Sequence, residues 1–175
     1  MLKKMEFRAA EVGEFAAIFD LYRASKQHLR SKQIKQWDFF YPNRFVIKDD
    51  LRRRALMVLW HDCQLIGAVC LDQRQAKQYA AVKWIFEEEK AAVIHRLVVH
   101  PDHQGRGWGK QLLRFCEMFA SERGFASIRL DAYSGNRAAI ALYEMFGYQK
   151  TGEIRFPLRR LPYFCYEKAI HADKR

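Results

Sequence analysis

The segment from residue 93 to residue 123 constrains the fold most. Val93 to Val99 is a nearly continuous apolar run, as in strands buried on both faces. Pro101 ends it, and Gln104-Gly105-Arg106-Gly107-Trp108-Gly109-Lys110 comes next, with three alternate glycines. A helix is predicted from about Gly107 to Arg123, with Leu112, Phe115, Cys116, Phe119 and Ala120 forming its apolar stripe. Gln111, Arg114, Glu117 and Ser121 form the polar side, and Gly124 supplies a C-terminal stop. A buried strand that feeds a helix through a glycine-rich loop implies a sheet covered by helices.

The rest of the chain fits that frame. Met5 to Ala9 reads as a short strand, and Glu11 to about Arg30 has helical spacing through Phe15, Ile18, Phe19 and Tyr22. A second helix is predicted around Phe45, Ile47 and Leu51, after the aromatic stretch Ile34 to Pro42. Ala55 to Trp60 and Leu65 to Leu71 form a predicted hairpin around a four-residue turn, His61-Asp62-Cys63-Gln64. Gln73 to Lys90 is irregular, and its Glu87-Glu88-Glu89-Lys90 run reads as solvated. Ser127 to Tyr133 alternates, with Ile128, Leu130 and Ala132 on one side and Arg129, Asp131 and Tyr133 on the other. Asn136 can cap a helix from Arg137 to Phe146, and strands close the chain near Tyr148 to Phe156 and Tyr163 to Ala169. The predicted class is α/β (α+β): one domain over residues 1–175, built on a single mixed, twisted central sheet of about 6–7 strands with helices on both faces.

With 31 Lys and Arg against 20 Asp and Glu, the net charge of +11 favours anionic partners: nucleic acid, acidic substrates or nucleotide phosphates. The four cysteines, Cys63, Cys70, Cys116 and Cys165, are scattered and lack metal-ligand spacing. Three lie in apolar patterns and are expected to be reduced and packed. The first residues show no leader-like apolar stretch, and no window suits a spanning helix, so the expectation is a cytoplasmic protein without a membrane partner.

The loop itself points to a ligand. Glycines allow close approach of backbone to ligand, and the first N–H groups of a helix lack internal acceptors. The helix dipole adds positive potential, so a phosphate group is the natural occupant. Arg106 and Lys110 add charge. Gln111 after Lys110 excludes the P-loop, and Lys110 stands where a dinucleotide fingerprint needs its last glycine.

Gln104-Gly105-Arg106-Gly107-Trp108-Gly109, after a strand ending Val-x-Pro, resembles the Gln/Arg-x-x-Gly-x-Gly/Ala signature of the GNAT superfamily of N-acetyltransferases. Asn136-Arg137-Ala138-Ala139-Ile140-Ala141-Leu142-Tyr143-Glu144-Met145-Phe146-Gly147-Tyr148 resembles its Asn-x-x-Ala-x-x-Leu-Tyr-x-x-x-Gly-Phe/Tyr segment. The likeness covers roughly residues 91–150 and implies a GNAT-like acyl-CoA N-acyltransferase fold. It implies acetyl-CoA as co-substrate, without metal, and transfer to a primary amine by direct attack in a ternary complex. Leu97, Val98 and Val99 would hold the pantetheine arm through main-chain atoms, with a backbone N–H such as that of Val98 as oxyanion donor. Gln104, Gly105, Arg106, Gly107, Trp108, Gly109 and Lys110 would cradle the pyrophosphate. Asn136 matches a position that hydrogen-bonds the coenzyme; a plain helix cap is its other reading. Tyr143 matches the tyrosine near the thioester sulfur and would give a proton to the leaving thiolate, or else pack in the core.

His95, two residues before Leu97, is the candidate base, against a histidine satisfied within the sheet. Glu87, Glu88, Glu89 and Asp131 stand behind it, and Arg96 is either structural or a substrate contact. Cys116, on its helix's apolar stripe, is expected to be too buried for a covalent route. Two other functions compete with this one: a basic nucleic-acid-binding module using Arg52-Arg53-Arg54 and Arg155 to Arg160, and a non-catalytic CoA-binding regulator. No nucleic-acid motif accompanies the basic clusters, so nucleic acid is disfavoured as a partner. The acceptor, a small-molecule or peptide amine, would be chosen by residues 22–54 and 149–168, with Trp37, Phe39, Phe40, Tyr41, Phe156 and Tyr163 as candidate walls. A homodimer is the commonest assembly for such a chain.

Overall fold

The computed structural model describes residues 5–38 and 40–170, so Phe39 lies outside the described residues. Among the described residues there are seven strands: β1 (Met5–Ala9), β2 (Leu56–His61), β3 (Gln64–Asp72), β4 (Ala91–Val99), β5 (Ser127–Tyr133), β6 (Gln149–Ile154) and β7 (Tyr163–Ala169). The helices are α1 (Phe15–Ser31), α2 (Arg44–Arg52), α3 (Trp108–Glu122) and α4 (Arg137–Met145). The strands form one mixed sheet in the order β1-β2-β3-β4-β5-β7-β6. The chain divides into two compact units, one comprising the residues up to Leu71 plus Arg96–Phe115, the other Asp72–His95 plus the residues from Cys116 on. Among the described residues no helix is long and apolar enough to cross a membrane.

In the first unit β1, β2 and β3 pair antiparallel. The turn between β2 and β3 is tighter than the sequence suggests. His61 and Gln64 pair as strand residues, and only Asp62 and Cys63 turn, with φ of 47° and 62°. Two left-handed residues in succession make a two-residue turn whose twist matches that of the flanking strands. The predicted helix from Glu11 opens as a 3₁₀ turn at Val12–Glu14, where Glu14 accepts from the Glu11 N–H at 2.7 Å and from Arg8 at 2.7 and 2.9 Å. Asn43 caps α2, its side chain accepting from the Phe45 and Val46 N–H groups at 2.9 and 3.1 Å. Ile18, Leu21 and Tyr22 of α1 meet Ile47 and Leu51 of α2 over Leu56, Val58, Ala68 and Val98, with Phe15 and Phe19 at the margin. Each fully buried Ile or Leu in such a core contributes about 1.5–3 kcal/mol.

In the second unit β4 and β5 run parallel, in register from Ala91↔Ser127 to Ile94↔Leu130. β7 pairs antiparallel with both β5 and β6. Both faces of β5 are covered, which its alternation does not reveal. The irregular segment after β3 lies over the polar face: Tyr79 donates to Asp131 at 2.7 Å, and Arg129 donates to the Phe86 carbonyl and lies 4.5 Å from the Trp84 ring centre. Arg129 is 2% exposed and Glu167 1%. Glu167 accepts from Arg129 Nε at 2.9 Å, Ser127 Oγ at 3.0 Å and the Ile85 N–H at 2.6 Å. The acidic run ahead of β4 is a 3₁₀ turn, with an exposed Glu87–Lys90 ion pair at 2.8 Å.

Candidate active site

The decisive backbone feature of β4 is Arg96. Its φ is +51°, in the left-handed region, although it is no glycine. An L-residue there gives up about 1–2 kcal/mol relative to an extended strand residue. Its side chain compensates. Arg96 Nε and Nη2 donate to both oxygens of Asp50 at 2.7–3.0 Å, and Nη1 donates to the Tyr41 hydroxyl at 2.7 Å. The Arg96 carbonyl accepts from the Tyr22 hydroxyl at 2.8 Å. Burial disfavours the guanidinium, but Tyr41, Cys70 and Asp50 hold its pKa above the ordinary arginine value. Arg96 is therefore structural on its own face, one of the two roles the sequence leaves open.

Leu97, Val98 and Val99 come directly after it. Val98 is buried in the core, and its carbonyl oxygen lies against Gly67 of β3. The Val99 carbonyl accepts from the Gln104 amide at 3.1 Å, and the His100 N–H donates to Ile66 at 2.8 Å. Gly105 and Gly107 are left-handed, with φ of 76° and 84°, and nothing lies within 4 Å of where a Cβ would stand on either. The first bond closing α3 runs from the Gln111 N–H to the Gly107 carbonyl, 3.2 Å. The amides of Trp108, Gly109 and Lys110 thus precede the internal acceptors of the helix. Arg106 and Lys110 are exposed beside them, and the Trp108 ring lies 4.9 Å from that of His61. Free amides, open space above two glycines and two cations fit a diphosphate. Loop and strand end both belong to the first unit.

His95, Asn136 and Tyr143 fall in the second unit. His95 Nε2 lies 3.2 Å from Asp72 and 3.0 Å from the Arg74 carbonyl. A carbonyl can only accept, so Nε2 is the nitrogen that donates to Arg74. Asn136 caps α4, accepting from the Ala139 N–H at 3.2 Å. Tyr143 is 7% exposed, with its ring 6.0 Å from Tyr148 and 6.3 Å from Tyr166. Burial pushes its pKa well above the ordinary phenol value, and Asp131 and Cys116 add to the shift. Among the described residues no hydrogen bond engages its hydroxyl. A phenol so placed keeps its proton at neutral pH and can only donate it. Burial likewise raises the Cys116 thiol far out of the nucleophilic range, and that of Cys165 to about 12.

Several residues that shape this region carry weak sequence signals. Asp50 shares the core-facing stripe of α2 with Ile47 and Leu51, and a carboxylate on such a stripe must find a cation. Nothing in the sequence names Arg96, Tyr41 and Tyr22 as its company. Gly67 stands against the Val98 carbonyl, and only coordinates reveal that. Of the aromatic walls, Trp37 lies 5.9 Å from Tyr22, and Phe156 lies 5.0 Å from Tyr163. Phe40 is 76% exposed and helps line a cavity of about 520 Å³ with Phe19, Lys26, Arg30, Trp37 and Arg44.

Known proteins resemble this chain in sequence and in fold. N-acetyltransferase 8B of Homo sapiens is 34% identical over 68 residues, which are 39% of this chain and 30% of that protein. The chain thus spans under a third of that relative's length. A GNAT-family acetyltransferase from Streptococcus agalactiae superposes with a TM-score of 0.80 at 22% identity, over 95% of this chain and 96% of its own. The paia N-acetyltransferase of Thermoplasma acidophilum, solved in complex with coenzyme A, gives 0.70 at 18% identity, over 95% and 99%. Identities this low speak for the fold alone. The model of the acetyltransferase (GNAT) family matches residues 15–148, taking in the loop after β4 as well as α4 with Asn136 and Tyr143, and the chain belongs to that family.

Proposed function

We propose that this chain moves an acetyl group from acetyl-CoA to a primary amine of a small molecule or peptide, by direct attack within a ternary complex. The observation that carries the reading is the pair of left-handed glycines, Gly105 and Gly107, facing open space between the end of β4 and the first amides of α3. The neighbour from Thermoplasma acidophilum, solved with coenzyme A, supports the choice of ligand. Acetyl-CoA supplies the activated acyl group.

In this reading the amides of Gly105 to Lys110 and the side chains of Gln104, Arg106 and Lys110 hold the diphosphate. The main chain of Leu97, Val98 and Val99 aligns the pantetheine arm, and the Val98 N–H faces the oxygen on which charge develops. Tyr143 keeps its hydroxyl proton until the thiolate leaves and gives it up there. His95 Nδ1 is the group that takes the proton of the amine, with Nε2 anchored on Arg74 and Asp72. Asn136 acts first as the cap of α4, which fixes the start of the helix that carries Tyr143. Three of the four cysteines are buried, which suits a reducing cytoplasm.

Calorimetric titration with CoA and acetyl-CoA, followed by thiol release with spermidine, lysine peptides, peptide N-termini and aminoglycosides, tests this. Saturable binding and release of thiol with at least one amine are expected. Binding without turnover across the panel would leave a CoA-binding regulator instead.

A further inference from the structure

We propose that Arg96 is a positioning residue: its ion pair with Asp50 and its carbonyl bond from Tyr22 hold the left-handed turn of β4 at residue 96 that presents the Leu97 and Val98 main chain to the coenzyme. The assignment rests on the reading given above and adds residues that no motif names. Three observations converge on it. Arg96 is the residue of β4 with positive φ, at +51°, immediately before the candidate binding residues Leu97, Val98 and Val99. A left-handed residue within a strand interrupts its alternation and re-aims the residues C-terminal to it. Its carbonyl is turned to the Tyr22 hydroxyl at 2.8 Å, and Tyr22 is almost wholly buried in α1. Its guanidinium meets both oxygens of Asp50, whose side chain is 2% exposed, and meets Tyr41 in the segment leading into α2.

The choice of residue is the telling point. Glycine adopts φ of +51° freely, so a strand that needed only the bend would use it. The chain carries arginine instead, accepts the strain, and ties the bend to α1, to α2 and to the segment before it. Preorganised main-chain donors are worth most when they cannot relax, and a bidentate arginine–carboxylate pair fixes geometry as well as charge. Lysine could not reproduce the fork. Asp50 also accepts from Arg53 at 2.7 Å, so loss of Arg96 does not leave it without a cation.

The test uses the full chain with Arg96→Gly, Arg96→Lys and Tyr22→Phe. CoA dissociation constants are measured by calorimetry well below each thermal midpoint, and amide exchange of residues 97–99 is measured in the free proteins. Arg96→Gly is expected to weaken CoA about tenfold, and Arg96→Lys to recover no more than about threefold of that. Tyr22→Phe is expected to weaken CoA about threefold, and exchange at Leu97 and Val98 is expected to quicken by about tenfold in Arg96→Gly. A purely structural role would lower the thermal midpoint and leave both readouts unmoved. Dissociation constants and exchange rates within twofold of the parent, with the parent binding CoA, would overturn the assignment alone. A parent that does not bind CoA overturns the functional reading and this assignment with it. If Arg96→Gly fails to fold, Tyr22→Phe decides, since it removes a single oxygen.

Discussion

The Val98 carbonyl oxygen stands 2.6 Å from the point where a Cβ on Gly67 would sit, and Leu112 Cδ1 stands 2.8 Å from it. β3 therefore approaches the end of β4 as closely as it does because residue 67 has no side chain. Gly67→Ala must push either the Val98 main chain or the α3 side chain behind it. Overpacking of that kind costs about 1–3 kcal/mol, a fall of roughly 2–4 °C in Tm for each kcal/mol at this chain length. Because the displaced atom belongs to Val98, CoA affinity should fall with stability. Differential scanning calorimetry and CoA titration on the same preparation check both; an unchanged affinity would separate Gly67 from the site.

Gly107 offers the opposite test. With φ of +84° and nothing within 4 Å of a Cβ, it has no protein neighbour to offend. Gly124 has φ of +75° and equally open surroundings, at the far end of α3. Gly107→Val and Gly124→Ala should therefore both lower stability, by about 1–2 kcal/mol of left-handed strain for the alanine and somewhat more for the β-branched valine. Gly107→Val alone should abolish CoA binding, because its branched side chain occupies the space above the loop. Equal CoA affinity in the two variants would refute the role given to the loop.

The order of strands and helices, and the loop before α3, were legible because they rest on local chemistry: apolar periodicity, glycines at special φ, and caps. Ser127–Tyr133 and Tyr163–Ala169 have the predicted bounds. Interactions between residues distant in sequence were not legible. Arg129 alternates outward on paper and is buried in fact, because the irregular segment carrying Gln75, Tyr79 and Phe86 folds back over it. Asp50 and Arg96 are 46 residues apart, and their pairing depends on α2 meeting β4 at its left-handed residue. His95 showed its residue type and strand position, but its engagement through Nε2 depends on where β3 ends.

Six of the eight tyrosines, Tyr22, Tyr79, Tyr143, Tyr148, Tyr163 and Tyr166, have pKa values raised, each first of all by burial. For Tyr166 the value is about 12. A raised folded value favours the protonated phenol, so the linked stability is whole below the unfolded value near about 10 and is lost as pH climbs through the folded values. Stability should be flat in these groups from pH 6 to 9 and fall steeply above pH 10. Phenolate absorbance at 295 nm should rise late and together with loss of far-UV ellipticity. Gradual ionisation of six phenols near their ordinary value, with the fold intact, would show them solvated.

Arg129 and Glu167 form a buried pair, with side chains 3% and 0% exposed. Arg129→Met would leave the carboxylate without its cation and should cost about 3–5 kcal/mol. Adding Glu167→Leu removes the stranded charge, but Ser127 Oγ and the Ile85 N–H then lose their acceptor. The double variant should recover part of the loss and remain below the parent by about 1–3 kcal/mol. Urea unfolding of the four-member cycle gives the coupling directly, and additivity of the two changes would mean that the pair is not coupled.

Tyr143→Phe isolates the chemistry from the packing. The ring stays between Tyr148 and Tyr166, and no hydrogen bond among the described residues is broken, so Tm should lie within about 1–2 °C of the parent. What disappears is a proton held by a phenol whose pKa burial has raised. If that proton meets the leaving thiolate, kcat should drop by about 10²–10⁴ while CoA affinity stays within twofold. The loss should be the same at pH 6 and pH 9, because the parent hydroxyl remains protonated throughout that interval. A ten-fold weaker CoA complex with kcat preserved would instead make Tyr143 a wall of the coenzyme site. The proton for the thiolate would then have to come from solvent.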